Sequence, residues 1–258
     1  MSRPTICALL AALCSGASAP QTTLTIEYIA HASFLVESPG GARILLDPFA
    51  SGVWIGYDFP EGLHPDAVVI THPHYDHDAG RFRGTPFPWP EARVFDAPGE
   101  FMVDDVRLIG LRGRHADPYG EEFGQRNTIW VVETAGLRIA HLGDNGPLTC
   151  DNLRDLGAVD ILMVPIDAQF HILARDEVAA LVTAVQPRHL VPMHYRLPEL
   201  EPDPDSPDDL GSIEPWLQGR SGVVRLGAHQ WRVGLETLLP AGSTIVFEPS
   251  PRVARPSR

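Results

Sequence analysis

Short apolar runs recur along the chain between Gly and Pro residues. Runs of this kind bounded by turn residues are typical of β-strands, and runs without a polar position indicate strands buried on both faces. The pattern predicts strands at Leu24–Ile29, Ser33–Val36, Arg43–Asp47, Ala67–Thr71, Arg93–Asp96, Val106–Leu111, Thr128–Glu133, Leu137–His141, Asp160–Pro165, His189–Pro192, Val223–Leu226, Gln230–Leu235 and Ser243–Glu248.

Two segments have a helical pattern, Leu148–Leu156 and Arg175–Val185. The second has acidic residues in its first turn, and Pro187 stops it. Because strands dominate and the helices come late in each half, we expect a mixed α/β (α+β) fold. An αββα four-layer sandwich, with two sheets covered by helices, fits better than a doubly wound sheet. Residues 198–209 are rich in Pro and Asp and predict a solvated loop or lid.

The first 19 residues have the pattern of a signal peptide. Arg3 precedes the apolar run Ile6–Cys14, and Ala17–Ala19 forms an A-x-A cleavage site, with cleavage after Ala17 or after Ala19. A buried N-terminal helix or a misassigned start is the alternative. The run is too short to span a bilayer, so no membrane span is expected. We therefore predict a periplasmic or secreted protein with a single domain over residues 20–258.

The composition excludes several mechanisms. The chain has 258 residues and a formal net charge of -13, and all 20 of its basic Lys and Arg residues are arginine. Without lysine there can be no P-loop phosphate clamp and no Schiff base. A general base must therefore be His, Asp, Glu, Tyr or a metal-bound hydroxide. The acidic charge also argues against a nucleic-acid partner.

The most informative segment follows the predicted strand that ends at Thr71, and its pattern is H-x-H-x-D-H. In extended backbone, residues i and i+2 point to the same side, so His72 and His74 can share one metal ion. The chain then turns, and Asp76 and His77 can reach a second metal position. So many ionisable groups next to a buried strand would be costly without a cation.

Three further candidate ligands each follow a predicted strand: His115, Asp144 and His194. Side chains at strand ends along one edge of a sandwich can converge. We therefore predict two metal sites that share Asp144. Nitrogen and carboxylate ligands without thiolate suit two Zn²⁺ ions per chain, with Mn²⁺ or Fe²⁺ as alternatives. The predicted ligands are His72, His74, His115, Asp76, His77, His194 and Asp144.

These residues and spacings resemble the metallo-β-lactamase superfamily, and the resemblance runs from Tyr28 to about Arg196. It implies the αββα fold with a dinuclear site at one edge of the two sheets. Finer features are similar to the branch that contains L-ascorbate-6-phosphate lactonase-like and phospholipase D-like hydrolases. Those features are Ala30–Phe34, Asp47-Pro48, Pro98–Glu100, Asn127 and Met193–Tyr195.

The same resemblance narrows the chemistry. In the true β-lactamases of the superfamily, Cys or Ser stands at the position that matches Asp144, so β-lactamase activity is not expected. The flavodiiron branch has Glu where this chain has His74, which argues against redox chemistry.

We expect a metal-bridging hydroxide that hydrolyses a small ester, lactone or phosphodiester. Asp76 is the candidate to orient that hydroxide and shuttle a proton. The substrate is a small molecule, anionic or neutral, and a homo-oligomer is compatible with the resemblance. The main alternative is a non-hydrolytic metal-binding or sensor protein that retains the fold. A nuclease shares the motif but conflicts with the acidic charge and the signal peptide.

Further residues are candidates for supporting roles. His31 can contact the substrate or a ligand, or it can be structural. Tyr195, directly after His194, can donate to an oxyanion. Asp47 can hydrogen-bond a ligand histidine. Arg112 and Arg114, before His115, can bind an anion or belong to the solvated surface.

Overall fold

Two β-sheets carry most of the chain in a computed structural model, which describes residues 22–52, 55–80, 88–166, 172–197 and 210–253. The predicted signal peptide and the loop at 198–209 lie outside the described residues. The strands are β1 (Leu24–Ala30), β2 (Ser33–Glu37), β3 (Arg43–Leu46), β4 (Ala67–Val69), β5 (Arg93–Phe95), β6 (Gly99–Val103), β7 (Val106–Arg114), β8 (Arg126–Thr134), β9 (Leu137–His141), β10 (Ile161–Pro165), β11 (His189–Met193), β12 (Val223–Arg225), β13 (Gln230–Val233) and β14 (Ser243–Val246).

The first sheet has six strands in the order β13-β1-β2-β3-β4-β5, and the second has eight in the order β12-β14-β11-β10-β9-β8-β7-β6. The strands β3, β4 and β5 are parallel, as are β9, β10 and β11. The carboxyl ends of neighbouring parallel strands meet at one edge of a sheet, so residues that follow these strands come together.

Helices α1 (Cys150–Leu156) and α2 (Arg175–Val185) connect β9 to β10 and β10 to β11. The side chain of Thr149 accepts a hydrogen bond from the backbone N–H of Asn152 and caps the start of α1. A short helix α3 (Glu214–Leu217) and a 3₁₀ turn at Leu235–Thr237 complete the elements named here. No helix among the described residues is long and apolar enough to cross a bilayer.

Both faces of the first sheet are buried, which explains its continuous apolar runs. Ile44 and Leu46 on β3 face the core shared with the second sheet, whereas Leu45 between them packs in a separate cluster on the other face. Loop residues, Phe49 and Tyr57 among them, cover that other face. The structure therefore has the predicted two-sheet architecture. The described residues that pack on the outer face of the first sheet belong to loops.

One strand was absent from the sequence prediction. The edge strand β6 pairs with β7 and has Gly and Glu at its first two positions. Alternate residues along it are exposed or half-buried, because only one face packs on the sheet. An apolar-run criterion does not detect such a strand.

Candidate metal centre

The first sheet supplies its polar side chains from three loops. His31 lies in the turn between β1 and β2, Asp47 directly follows β3, and residues 72–77 follow β4. The side chains of His31, Asp47 and His77 have no solvent exposure. Within the H-x-H-x-D-H segment, His72, Asp76 and His77 are buried, whereas His74 is partly exposed.

The second sheet supplies the other three predicted ligands. His115 follows β7, Asp144 follows β9 after a short turn, and His194 follows β11. All three residues are fully buried. The structure thus brings all seven predicted metal ligands to one edge of the two sheets, where residues far apart in sequence meet.

The carboxylate of Asp144 lies at the centre of these side chains. Its Oδ1 is 3.3 Å from His77 Nε2, and its Oδ2 is 3.5 Å from His194 Nε2. The same Oδ2 lies 3.6 Å from His115 Nε2 and 3.8 Å from His72 Nε2. Four histidines, two from the loops of each sheet, therefore face one carboxylate.

We call His72, His74 and His115 the three-histidine cluster, because each can offer one ring nitrogen within 4.8 Å of the others. His72 Nε2 and His74 Nδ1 are 3.1 Å apart. His74 is only partly buried, and its Nε2 lies 3.1 Å from the amide oxygen of Gln125. This cluster is therefore the more accessible part of the site.

We call His31, Asp76, His77 and His194 the Asp76 cluster, whose ligand atoms also lie within 4.8 Å of one another. Asp76 Oδ2 is 3.1 Å from His31 Nε2, 3.6 Å from His77 Nε2 and 3.7 Å from His194 Nε2. His31, which was only a supporting candidate in the sequence, thus contacts a predicted ligand directly.

Asp47 fixes the orientation of two ligand histidines. Its Oδ2 accepts hydrogen bonds from His77 Nδ1 at 2.7 Å and from Thr71 Oγ1 at 2.6 Å. Thr71 Oγ1 in turn lies 3.0 Å from His72 Nδ1 and can accept its proton. Both histidines therefore present Nε2 to Asp144. A carboxylate that orients a ligand histidine in this way is a common second partner of metal sites.

Several residues at this edge have a left-handed backbone. His31, Asp47 and His194 have φ of 58°, 42° and 60°. Such values are uncommon outside glycine, and they persist where the surrounding structure enforces them, often at functional sites. Gly143, directly before Asp144, has φ of 54°, and a Cβ there would lie 2.5 Å from Thr71 Oγ1. The chain can approach so closely only because residue 143 is glycine.

The carboxylates dominate the electrostatics of the Asp76 cluster. Burial alone would raise the pKa of Asp76, but the charge of His77, the nearby ring of His194 and the hydrogen bond from His31 hold it well below its usual value. Burial alone would lower the pKa of His77, but the surrounding Asp144, Asp76 and Asp47 raise it to about 10. Positive charge is therefore favoured at this point.

His31, His72 and His74 favour the neutral form. Burial, and next the charge of His77, lower the pKa of His72 well below its usual value. Burial also lowers the pKa of His74. The pKa of His31 falls to about 4, chiefly through burial and secondarily through His194. A neutral imidazole is the form that binds a metal ion.

The donor set fits a metal ion. Two ligands bound tetrahedrally to one zinc lie about 3.3 Å apart, given Zn–N distances of about 2.0–2.1 Å. The distances around Asp144 and between His72 and His74 are close to that spacing. Among the described residues, His77 Nε2 and both oxygens of Asp144 are buried without a hydrogen-bond partner. Buried polar atoms of this kind need a partner, and a cation can supply it.

The supporting candidates separate into different environments. Tyr195 does not join the ligands: it is buried beside Tyr28, with ring centroids 6.1 Å apart, and burial raises its pKa. Its role as a proton donor stays a prediction. Gln125 and Tyr119 were not predicted, yet the ring of Tyr119 lies 5.1 Å from that of His74. A Tyr or Gln in a polar loop carries no pattern that could have identified it.

A cavity of about 540 Å³ adjoins the three-histidine cluster. It opens between the ends of the two sheets, and His72 forms part of its wall. Small-molecule sites are commonly of this size. The other residues that line it are Ile70, Thr71, Pro73, Asp96, Ala97, Pro98, Arg112, Gly113, Arg126, Asn127 and Thr128.

Comparison with known proteins identifies the family. The profile of the family described as "Beta-lactamase superfamily domain" matches residues 25–194, which is more than half of the chain. The chain therefore belongs to this superfamily, as its ligand pattern predicted. The match spans β1 to His194 and so includes every predicted metal ligand.

Similar proteins agree with this assignment. A UPF0173 metal-dependent hydrolase of Thermococcus onnurineus is 29% identical over 201 residues, which cover 70% of this chain and 88% of that protein. One of Myxococcus xanthus is 27% identical over 226 residues, covering 76% and 80%. These relatives and the family match confirm the predicted class of enzyme, a metal-dependent hydrolase of the metallo-β-lactamase superfamily.

A solved structure has the same fold. It is a Thermotoga maritima protein described as a zinc-dependent hydrolase of the metallo-β-lactamase superfamily. It superposes with a TM-score of 0.67 at 24% identity and covers 88% of this chain and 100% of its own. The predicted fold class is therefore confirmed.

Proposed function

We propose that the protein is a zinc-dependent hydrolase that uses two metal ions to cleave a small ester, lactone or phosphodiester. The names of the relatives support metal-dependent hydrolysis, and the ligand types support zinc. Mn²⁺ and Fe²⁺ are the alternative metals, because they bind similar ligands, but a site of His and Asp ligands is more typical of zinc.

The observation that carries the proposal is the position of Asp144. Its carboxylate is buried, lacks a hydrogen-bond partner among the described residues, and faces four histidine nitrogens at 3.3–3.8 Å. The third group of candidate ligands, His72, His77 and Asp144, joins the two clusters. A carboxylate placed between two ligand sets is suited to bind both ions of a dinuclear site.

Bound zinc would supply Lewis acidity and a hydroxide nucleophile at neutral pH. His72, His74 and His115 would hold one ion, and Asp76, His77 and His194 the other. Asp76 can also accept a proton at Oδ2. His31 Nε2, 3.1 Å away, donates to that oxygen and fixes the carboxylate in place.

The substrate would enter from the cavity beside His72. This wall belongs to the three-histidine cluster, whereas the Asp76 cluster has no exposed histidine. Of the seven predicted ligands, only His72 is in the described lining of this cavity, so a carbonyl or phosphoryl centre at its inner end would approach the metal centre from the side of His72.

Metal analysis and a substrate panel test the proposal. We expect two zinc ions per chain by inductively coupled plasma mass spectrometry, and turnover of at least one class among p-nitrophenyl phosphodiesters, lactones and thioesters. Chelation should abolish turnover, and added zinc should restore it. Full activity after complete metal removal would contradict the proposal. Two bound metals without turnover of any class would favour a non-hydrolytic metal-binding or sensor protein.

A further inference from the structure

The cavity beside His72 contains two guanidinium groups that the hydrolytic chemistry does not use. Arg112 and Arg126 line it from the neighbouring strands β7 and β8. One carboxylate, Asp96, also lines it, so the two arginines outnumber the acid. The cavity is therefore positive in a protein whose formal net charge is -13.

Strand register places both arginines on one face. Arg112 on β7 is paired with Thr128 on β8, and Arg114 is paired with Arg126. Side chains two residues apart on a strand share a face, so Arg126 is the diagonal neighbour of Arg112. Such neighbours lie about 7–8 Å apart at Cα, within reach of one small anion held between two long side chains.

Neither arginine has an internal counter-charge. Among the described residues, no ion pair involves Arg112 or Arg126, whereas Arg107, Arg138 and Arg225 each pair with a glutamate. Arg126 also stands directly opposite Arg114. Arg114 forms an ion pair with Glu121, with 3.4 Å between Arg114 Nη2 and Glu121 Oε1, so in this opposed pair Arg126 is the arginine without an ion pair among the described residues.

We infer that Arg112 and Arg126 bind an anionic group of the substrate, a carboxylate or a phosphate, that is distinct from the group that reacts. This inference rests on the proposed hydrolytic function. Guanidinium groups suit these anions because their N–H donors match the spacing of two anion oxygens. The substrate would then have its scissile bond near Asp144 and its anionic end between the two strands.

Two esters of equal length test the selectivity. In 4-nitrophenyl valerate the acyl chain ends in a methyl group, and in mono-4-nitrophenyl glutarate it ends in a carboxylate. With the zinc-loaded enzyme we expect a higher kcat/KM for the glutarate monoester. The double variant Arg112→Gln/Arg126→Gln should lower that value about tenfold or more, as expected for lost charge-assisted hydrogen bonds. Its kcat/KM for the valerate should stay within about twofold.

Arg107→Gln is the matched control, because Arg107 lies on the same strand β7, is exposed and is outside the cavity lining. It removes one positive charge outside the cavity, where the double variant removes two inside it, and should leave the preference for the glutarate monoester unchanged. Equal losses on both esters in the double variant, or an equal loss of preference in Arg107→Gln, would overturn the inference.

Binding of inorganic phosphate separates this inference from the proposed function. Isothermal titration of the zinc-loaded protein requires no turnover, and the metal ions contribute equally to wild type and variant. We expect phosphate to bind about tenfold more weakly to the double variant than to wild type or Arg107→Gln. Equal affinities would overturn the inference even in an active enzyme. If phosphate binds more weakly to the double variant than to wild type, but the wild type cleaves neither ester, the result would refute esterase activity and leave the inference on the two arginines standing.

Discussion

The three-histidine cluster and the Asp76 cluster share Asp144 but differ in how the protein supports them. In the Asp76 cluster, Asp47 holds His77 and His31 holds Asp76, all of them buried. In the three-histidine cluster, His74 is partly exposed and is held by Gln125 from a loop. The two halves of one metal centre thus have different environments.

The difference indicates a division of roles. Three carboxylates, Asp76 and its neighbours Asp47 and Asp144, surround His77 in the interior, so the loss of a cation or of a charge partner there would affect folding as well as binding. The three-histidine cluster has neutral ligands beside a cavity, so a change there would mainly affect metal binding and turnover. The following variants test that division, from the largest expected effect to the smallest.

Removing the shared ligand should affect both clusters. Asp144→Ala is expected to lower metal content below one ion per chain and to lower kcat/KM by about 10³-fold or more, because both ligand sets lose their common carboxylate. Metal analysis and the hydrolytic assay measure the two effects. Asp151→Ala, on the exposed side of α1, is the control and should retain both. A variant with two metals and normal turnover would show that Asp144 is not the shared ligand.

One histidine from each cluster should separate stability from binding. His77→Ala removes one partner from each of the buried carboxylates Asp47 and Asp76, so we expect a loss of about 3 kcal/mol in the free energy of unfolding. His74→Ala removes a partly exposed neutral ligand and should cost about 1 kcal/mol or less. Both should lose metal. Denaturant unfolding of the two variants decides the point, and equal losses of stability would contradict the division of roles.

Asp47 should act only through the ligands that it orients. Asp47→Asn keeps the shape of the side chain but weakens the acceptor for His77, and zinc affinity should fall about 10–100-fold. Asp66→Asn is the control, since Asp66 accepts from an exposed backbone N–H of Arg43. Competition with a fluorescent zinc chelator measures both affinities. An unchanged affinity in Asp47→Asn would mean that the packing alone orients His77.

His189 lies at the opposite end of β11 from His194. It is a buried histidine away from the metal centre, and it should make the stability depend on pH. Among the described residues neither of its ring nitrogens has a hydrogen-bond partner. Burial, and next Arg188, lower its pKa below the usual value of about 6.5. The unfolded chain therefore binds this proton at a higher pH than the folded one, so stability should fall as pH decreases below about 6.5.

His189→Leu should remove that part of the pH dependence. The slope of unfolding free energy against pH between about 6.5 and 5 should become shallower, by at most about 1.4 kcal/mol per pH unit. Wild type and His189→Leu are both measured with zinc bound. Because both contain the same metal ligands, the titration of those ligands cancels in the difference between the two curves. Parallel curves would show that His189 keeps its ordinary pKa in the folded protein.

The sequence predicted which polar side chains meet at this edge better than it predicted their surroundings. His72, His74, Asp76 and His77 could be proposed as ligands because their spacing is local and the pattern is distinctive. The more distant candidates could be proposed because each follows an apolar strand. Asp47 was a candidate on the same ground, and the structure confirms its hydrogen bond to His77.

The direction of the Tyr195 side chain could not be predicted from the sequence. It adjoins a ligand in the sequence, but the left-handed backbone of His194 accompanies a turn, and Tyr195 packs against Tyr28 instead. The direction of a side chain after a strand depends on the turn that follows. No apolar pattern encodes that direction.

By itself, the sequence determined the strand-rich architecture, the metal-binding motif and the absence of lysine chemistry, because these depend on composition and on local periodicity. Only the tertiary structure decided that Asp144 lies between the two clusters, that Thr71 connects His72 to Asp47, and that Arg126 joins Arg112 beside His72. Those contacts depend on strand order, register and backbone turns. These are properties of the packed sheets and not of any single segment.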